Sequence, residues 1–270
     1  MASGLRQRVG TALALAALVI GILFWMPPAA AVAAVAVVVL LGAWEWAGFA
    51  GLATATQRIG YVVGIGVAAW VAWRVTAEPA GLALFLRVTA LWWLSAALWV
   101  AFGSRHGGHY AAGLAGFAVL VPAAIGLGRL ALVQSHGQML LFFLIVLIAA
   151  ADVGAYFGGR AFGRHKLAPL VSPGKTWEGF FAGVLGAGFA AWAGAWFFGQ
   201  PLLPWLAVCV LVALVSVVGD LVESMFKRHV GLKDSGGLLP GHGGVLDRID
   251  GFTAAAPTFL FGLLLIGAAP

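Results

Sequence analysis

The chain has 270 residues, 63% of them hydrophobic and 9% charged, with a mean hydropathy of +1.03, a balance that excludes a soluble globular domain of ordinary composition. Its one cysteine, Cys209, lies inside an apolar run, which excludes a disulfide framework and a cysteine-based metal centre. The net charge of +6 needs no nucleic acid to explain it, because basic residues at the ends of apolar segments meet anionic lipid.

A helix rises about 1.5 Å per residue and must cross roughly 30 Å of hydrocarbon, so apolar windows of about 20 residues are the units to count. Nine are predicted, with cores at 11–25, 29–43, 60–73, 89–103, 112–128, 139–157, 179–198, 203–219 and 252–267. Runs such as VAVVVLLGAW from Val35 lack the alternation of a barrel strand, so the expected fold is all-α, a polytopic membrane protein of about nine transmembrane helices. Arg6 and Arg8 ahead of the first window, with small residues near Ala29, also resemble a signal peptide, although a multispanning chain begins the same way.

With a cytoplasmic N-terminus, nine spans put Arg6, Arg8, Arg58, Arg105, Arg160, Arg164, Lys166, Lys175, Lys227, Arg228, Lys233 and Arg248 inside, twelve of the fifteen basic residues. Arg74, Arg87 and Arg129 fall outside. The expected location is the cell (inner or plasma) membrane. Residues 1–138 read as a scaffold of about five helices and 139–270 as a catalytic region of about four with two polar cytoplasmic loops, within one continuous membrane domain.

The acidic residues are segregated. Asp152, Glu178, Asp220, Glu223, Asp234, Asp247 and Asp250 lie in the C-terminal part, against only Glu45 and Glu78 before it. Carboxylates near hydrocarbon are costly and persist mainly where they bind ions, pair or line a polar cavity, so the segregation marks a site.

The first polar stretch runs from Asp152 to Glu178, with Asp152 and Tyr156 one helical turn apart and Arg160, Arg164, Lys166 and Lys175 after them, bases suited to phosphate. Gly174-Lys175-Thr176 is not a P-loop, because the position that should hold its first glycine is Pro169 and no strand is expected before it. In the next window Gly179, Gly183, Gly186, Ala190 and Gly194 form a small-residue face for close helix packing, within the chain or in a homodimer.

The second stretch runs from Asp220 to Asp250. Asp220, Glu223, Ser224 and Lys227 share one helical face, and a glycine-rich loop, SGGLLPGHGG from Ser235, follows. The backbone of Gly243 and Gly244 can approach phosphate oxygens closely. His242 between glycines either donates to phosphate or moves a proton, or simply satisfies the loop. The remaining histidines are too scattered for a zinc site. Asp247 and Asp250 then share the mouth of the last span. Three hard carboxylates beside glycine backbone and Lys/Arg form a combination that holds Mg²⁺ on a polyphosphate.

The run from Ser224 through Lys227-Arg228, Lys233-Asp234, Gly236, Pro240-Gly241-His242-Gly243-Gly244 and Asp247-Arg248 to Asp250 resembles the hallmark motif of phosphatidate cytidylyltransferases, the CDP-diacylglycerol synthases. Gly219-Asp220 and Ser172-Pro173 with Lys175-Thr176-Trp177-Glu178-Gly179 are similar to the family as well, which has a second lysine where this chain has Gly174. The resemblance covers the last 120 residues or so and implies that phosphatidate attacks the α-phosphate of CTP, giving CDP-diacylglycerol and pyrophosphate. It implies Mg²⁺, with a second cation such as K⁺ at the same centre. The expected metal ligands are Asp220, Asp247 and Asp250. Ser224 and Lys227 join them as catalytic residues, and Asp152, Ser172, Lys175, Arg228, Lys233, His242, Gly243, Gly244 and Arg248 as substrate-binding ones. An alcohol phosphotransferase is disfavoured because Asp250-Gly251 is followed by FTAAAP rather than by Ala-Arg and further aspartates. A transporter would carry its charges near mid-span, whereas these cluster at helix ends.

Overall fold

The computed structural model describes residues 2–102, 108–134, 136–239, 241 and 243–268, with side chains from Gly10 onward. Among them the chain forms α1 (Ala2–Trp25), α2 (Pro28–Phe49), α3 (Ala55–Val75), α4 (Pro79–Phe102), α5 (His109–Ala131), α6 (Gly137–Phe162), the strands β1 (Lys166–Ala168) and β2 (Ser172–Thr176), then α7 (Trp177–Phe197), α8 (Leu202–His229) and α9 (Leu246–Leu265). Each predicted window overlaps one of these helices, and the windows 179–198 and 252–267 run one and two residues past the ends of α7 and α9. Eight of the nine, α2 to α9, are long and apolar enough to cross a membrane, and the described part of α1, Gly10–Trp25, is a shorter apolar helix.

Local chemistry sets the breaks. Pro28 opens α2, where a missing N–H costs nothing. Thr54 and Gln57 form a reciprocal capping box at the start of α3, with Thr54 Oγ1 accepting from Gln57 N at 3.3 Å and Gln57 Oε1 from Thr54 N at 3.1 Å. Gly199 takes a left-handed φ of 62° to end α7, and Pro201 sits at the entry to α8.

Without a hydrophobic force between helices in lipid, close approach depends on small residues. The glycine face of α7 is used inside the chain, against α6, where a Cβ on Gly154 would lie 2.6 Å from Ala182 O and one on Gly183 2.9 Å from Ala151 O. Helices α8 and α9 stand at the centre and contribute to two apolar cores, one shared with α6 and α7 around Trp205 and Phe259, the other with α2, α4 and α5 around Trp46 and Phe226. Outward faces stay apolar: Phe181, Leu185, Phe189, Trp192 and Trp196 form an exposed stripe on α7, and Leu84, Val88, Leu91 and Leu98 another on α4, as a hydrocarbon-facing surface requires.

The 28 residues of α8 span about 42 Å, more than a hydrocarbon core, so one end of the helix projects past it. Its C-terminal turns carry Asp220 to His229 and meet the start of α9, the end of α2, and the β1–β2 hairpin between α6 and α7. The hairpin pairs Lys166 with Thr176 and Ala168 with Ser172. Arg129 closes α5 at the opposite end of the bundle, where it donates to Trp73 O at 2.5 Å and Thr76 Oγ1 at 3.1 Å and lies over the Trp73 ring.

Candidate active site

The hairpin positions the first lysine. Glu178, in the first turn of α7, accepts from the backbone N–H of Arg164 at 3.1 Å and of His165 at 3.2 Å, and meets His165 Nδ1 at 2.6 Å. Thr176 caps α7 by accepting from Gly179 N at 3.2 Å. Gly174-Lys175-Thr176 therefore lies on a strand stapled to α7 rather than in a phosphate loop. This places Lys175 Nζ 2.5 Å from Asp220 Oδ2 on α8. Ser224 Oγ donates to Asp220 Oδ1 at 3.1 Å, one helical turn further on, as the spacing predicts.

A second lysine sits deeper. Lys227 Nζ lies 2.7 Å from Asp247 Oδ1 and 3.1 Å from Glu223 Oε1, joining α8 to α9. Asp247 Oδ2 accepts from the amides of Ser235 and Gly244, each at 2.9 Å, so one carboxylate ties the lysine to both ends of the glycine loop. Within the loop Leu239 N donates to Gly243 O at 2.9 Å, and Gly243 reverses the chain at φ 85°, where a Cβ would lie 2.9 Å from Asp247 Oδ2. Asp250 Oδ1 accepts from Gly251 N at 2.7 Å and is within electrostatic reach of Asp220, Lys175 and Lys227.

Asp152, Tyr156, Arg160, Lys175 and Asp220 line a cavity of about 400 Å³ whose remaining wall includes Ala151, Gly183, Val184 and Val217 from the apolar helices. Asp152 interacts electrostatically with Lys175 and Asp220, and Arg160 donates to the Tyr156 hydroxyl at 2.9 Å. Of the sequence-derived set, Asp152, Lys175, Asp220, Ser224, Lys227, Gly243, Gly244, Asp247 and Asp250 gather at these linked helix ends. Arg228, Lys233 and Arg248 are exposed around them, Arg228 donating to Leu232 O at 3.3 Å. Ser172 opens β2 and is not among the residues lining the cavity. His242 lies outside the described residues.

Two acidic residues acquire roles that motif reading did not give them. Glu223 is 1% exposed, and its Oε1 lies 3.1 Å from Lys227 Nζ, an ion pair within the turn of α8 that holds this carboxylate in the interior. Glu45, in the scaffold half, is 4% exposed and accepts from Ser235 Oγ at 2.9 Å, Val245 N at 3.0 Å and Leu246 N at 2.8 Å. The available signal for Glu45 was its setting, a carboxylate inside the apolar run AWEWAG, which is a costly placement.

The cluster fits a hard cation by charge and donor type. Among the described residues, Asp152, Asp220, Glu223, Asp247 and Asp250 meet the two ammonium groups of Lys175 and Lys227 in one connected network. Glu223 is also a buried carboxylate, its Oε1 3.1 Å from the Lys227 ammonium. Among the described residues no three His, Cys, Asp or Glu side chains form a ready cage.

Fold and site together define a multi-pass membrane protein whose helix ends gather carboxylates, lysines and a glycine loop beside a cavity walled by apolar helices. The chain belongs to the cytidylyltransferase family, which it matches over residues 6–266, and is accordingly a nucleotidyltransferase. It is 39% identical to the phosphatidate cytidylyltransferase of Haemophilus influenzae, over 95% of this chain and 98% of that one. It is 43% identical to that of Pseudomonas aeruginosa, over 94% and 95%. The phosphatidate cytidylyltransferase of Brucella suis biovar 1 is 44% identical over 53% of each chain.

Proposed function

We propose that this enzyme is a phosphatidate cytidylyltransferase working at the cytoplasmic face of the cell membrane, converting phosphatidate and CTP into CDP-diacylglycerol and pyrophosphate. The observation that carries the reading is the cavity, with an apolar helix wall at one side and Lys175, Asp152 and Asp220 at the other. Such a site suits a lipid whose acyl chains remain among apolar surfaces while its phosphate meets a cation. The names of the relatives at about 40% identity support the same substrates, and the gathering of bases at one set of helix ends supports the cytoplasmic assignment.

A phosphomonoester is already an anionic nucleophile near neutral pH, so the task of the protein is alignment and charge neutralisation. An oxygen of the lipid phosphate bonds to the α-phosphorus of CTP as the bond from that phosphorus to the bridging oxygen breaks. The electron pair leaves with pyrophosphate. Lys175 holds the lipid phosphate from the hairpin, and Ser224 keeps the Asp220 carboxylate oriented. Lys227, held by Asp247, neutralises charge on the transferring group, while the glycine loop and the exposed Arg228, Lys233 and Arg248 receive the nucleotide. Asp220 and Asp250 would hold Mg²⁺; Asp247, the third expected ligand, has both oxygens engaged by Lys227 and the amides of Ser235 and Gly244 and would contribute its charge from behind them. When bound, the ion neutralises the polyphosphate charge.

Purified enzyme given phosphatidate, CTP and Mg²⁺ is expected to form CDP-diacylglycerol and to stop on addition of EDTA. No product from a monodisperse, folded preparation refutes the reaction. Turnover unaffected by the chelator refutes the metal requirement.

A further inference from the structure

We infer that Glu45 is a positioning residue for the nucleotide site, reaching from the end of α2 to fix the glycine loop and the first turn of α9 as one unit. The inference rests on the reaction proposed above and extends it to a helix outside the motif.

The N-terminus of α9 lacks a cap of its own: its N-cap residue, Val245, offers no side-chain hydrogen bond. The first N–H groups of a helix have no partner inside it, and burying them unsatisfied is costly. Glu45 supplies that partner from another helix, accepting from Val245 N at 3.0 Å and Leu246 N at 2.8 Å. Its negative charge also faces the positive end of the α9 dipole. The same carboxylate accepts from Ser235 Oγ at 2.9 Å, so it grips the first residue of the loop and the two that follow its last. Asp247 makes a parallel grip through the amides of Ser235 and Gly244. Both ends of the loop are therefore held by two carboxylates, one from each half of the chain.

The glycines fit this arrangement. A Cβ on Gly236 would run into Glu45 Oε1, and one on Gly244 would meet Ser235 Oγ and, at 2.5 Å, Glu45 Oε2. These positions are small because the Glu45 carboxylate occupies the space beside them. Asp247 and Asp250 both ride on the first turns of α9, so a shift of that helix start moves Asp247, Asp250 and the loop together. Glu45 touches no reacting atom and acts only through this placement.

Glu45→Gln keeps the shape but turns an amide donor toward backbone N–H groups. The test pairs steady-state kinetics with hydrogen–deuterium exchange. The expected result is a rise in KM for CTP on the order of tenfold, from lost charge-assisted hydrogen bonds, with KM for phosphatidate within about twofold of the parent. Exchange should quicken across 235–246 and stay unchanged in α5. Glu45→Asp, which keeps the charge, should recover part of the CTP affinity, and Glu78→Gln, at the far end of the bundle, should behave as the parent. Ser235→Ala carries the same test with a smaller change, about threefold in KM for CTP, should Glu45→Gln not fold. An inactive parent enzyme speaks against the reaction itself. With an active parent, an unchanged KM for CTP, or loosening spread through α2 and α5, overturns the positioning role.

Discussion

Replacing Asp247 with asparagine removes one charge and no volume, at the residue that ties α8, α9 and the glycine loop together. Three donors converge on it: Lys227 Nζ at 2.7 Å on Oδ1, and the amides of Ser235 and Gly244 at 2.9 Å on Oδ2. An asparagine presents one oxygen and one NH₂, so whichever way it turns, a donor faces either the ammonium or the two amides. The side chains of the Lys227 pair are only 10% and 8% exposed, so solvent screening does little to soften the loss. A hydrogen bond to a charged group is worth about 1.5–3 kcal/mol, and breaking a buried pair costs about 3–5 kcal/mol. A loss of about 3 kcal/mol in transition-state stabilisation corresponds to a fall of roughly 100-fold in kcat/KM. The assay is CDP-diacylglycerol formation at saturating phosphatidate with CTP varied, on protein shown to be monodisperse and helical. Lys227 keeps Glu223 as a partner at 3.1 Å, so folding should survive. A variant within about threefold of the parent in kcat/KM would refute both the convergence of charge on Asp247 and its part in the site.

Lys175→Met should lower kcat/KM by about 100-fold, comparable to loss of one preorganised charge-stabilising donor. The ion pair with Asp220 is 26% and 33% exposed on its two sides, so thermal stability should change by less than about 1 kcal/mol; a large drop in Tm with normal turnover of the folded fraction would contradict the assignment. Gly158→Leu should abolish folded protein, because a Cβ at that position already collides with Ala182 on α7. Detergent-stable, active Gly158→Leu enzyme would show that α6 and α7 are not packed through this face.

The nine helices were legible because hydrocarbon imposes a single length and polarity rule on every span, and apolar runs between punctuating prolines, glycines and charges satisfy it visibly. The second polar stretch was legible for a similar reason: Asp220, Ser224 and Lys227 recur at helical spacing, and a carboxylate near lipid stands out against its surroundings. The β1–β2 hairpin was not, because five residues of β2 interrupted by proline and glycine carry no alternation, and the strand persists through the staple from Glu178 rather than through its own pattern. Glu45 was visible as an anomaly but had no partner within reach in sequence, since Ser235, Val245 and Leu246 lie about 200 residues away.

The order of residues by itself determined that this is a helical membrane chain with its chemistry at helix ends, because periodicity and composition are local properties. Tertiary structure alone decided which charges meet. It set Lys175 against Asp220, gave Lys227 to Asp247, and brought Glu45 from the apparent scaffold to the start of α9. Electrostatic and hydrogen-bonding partnership depends on distances of about 3 Å, and only the packing of helices distant in sequence sets those distances.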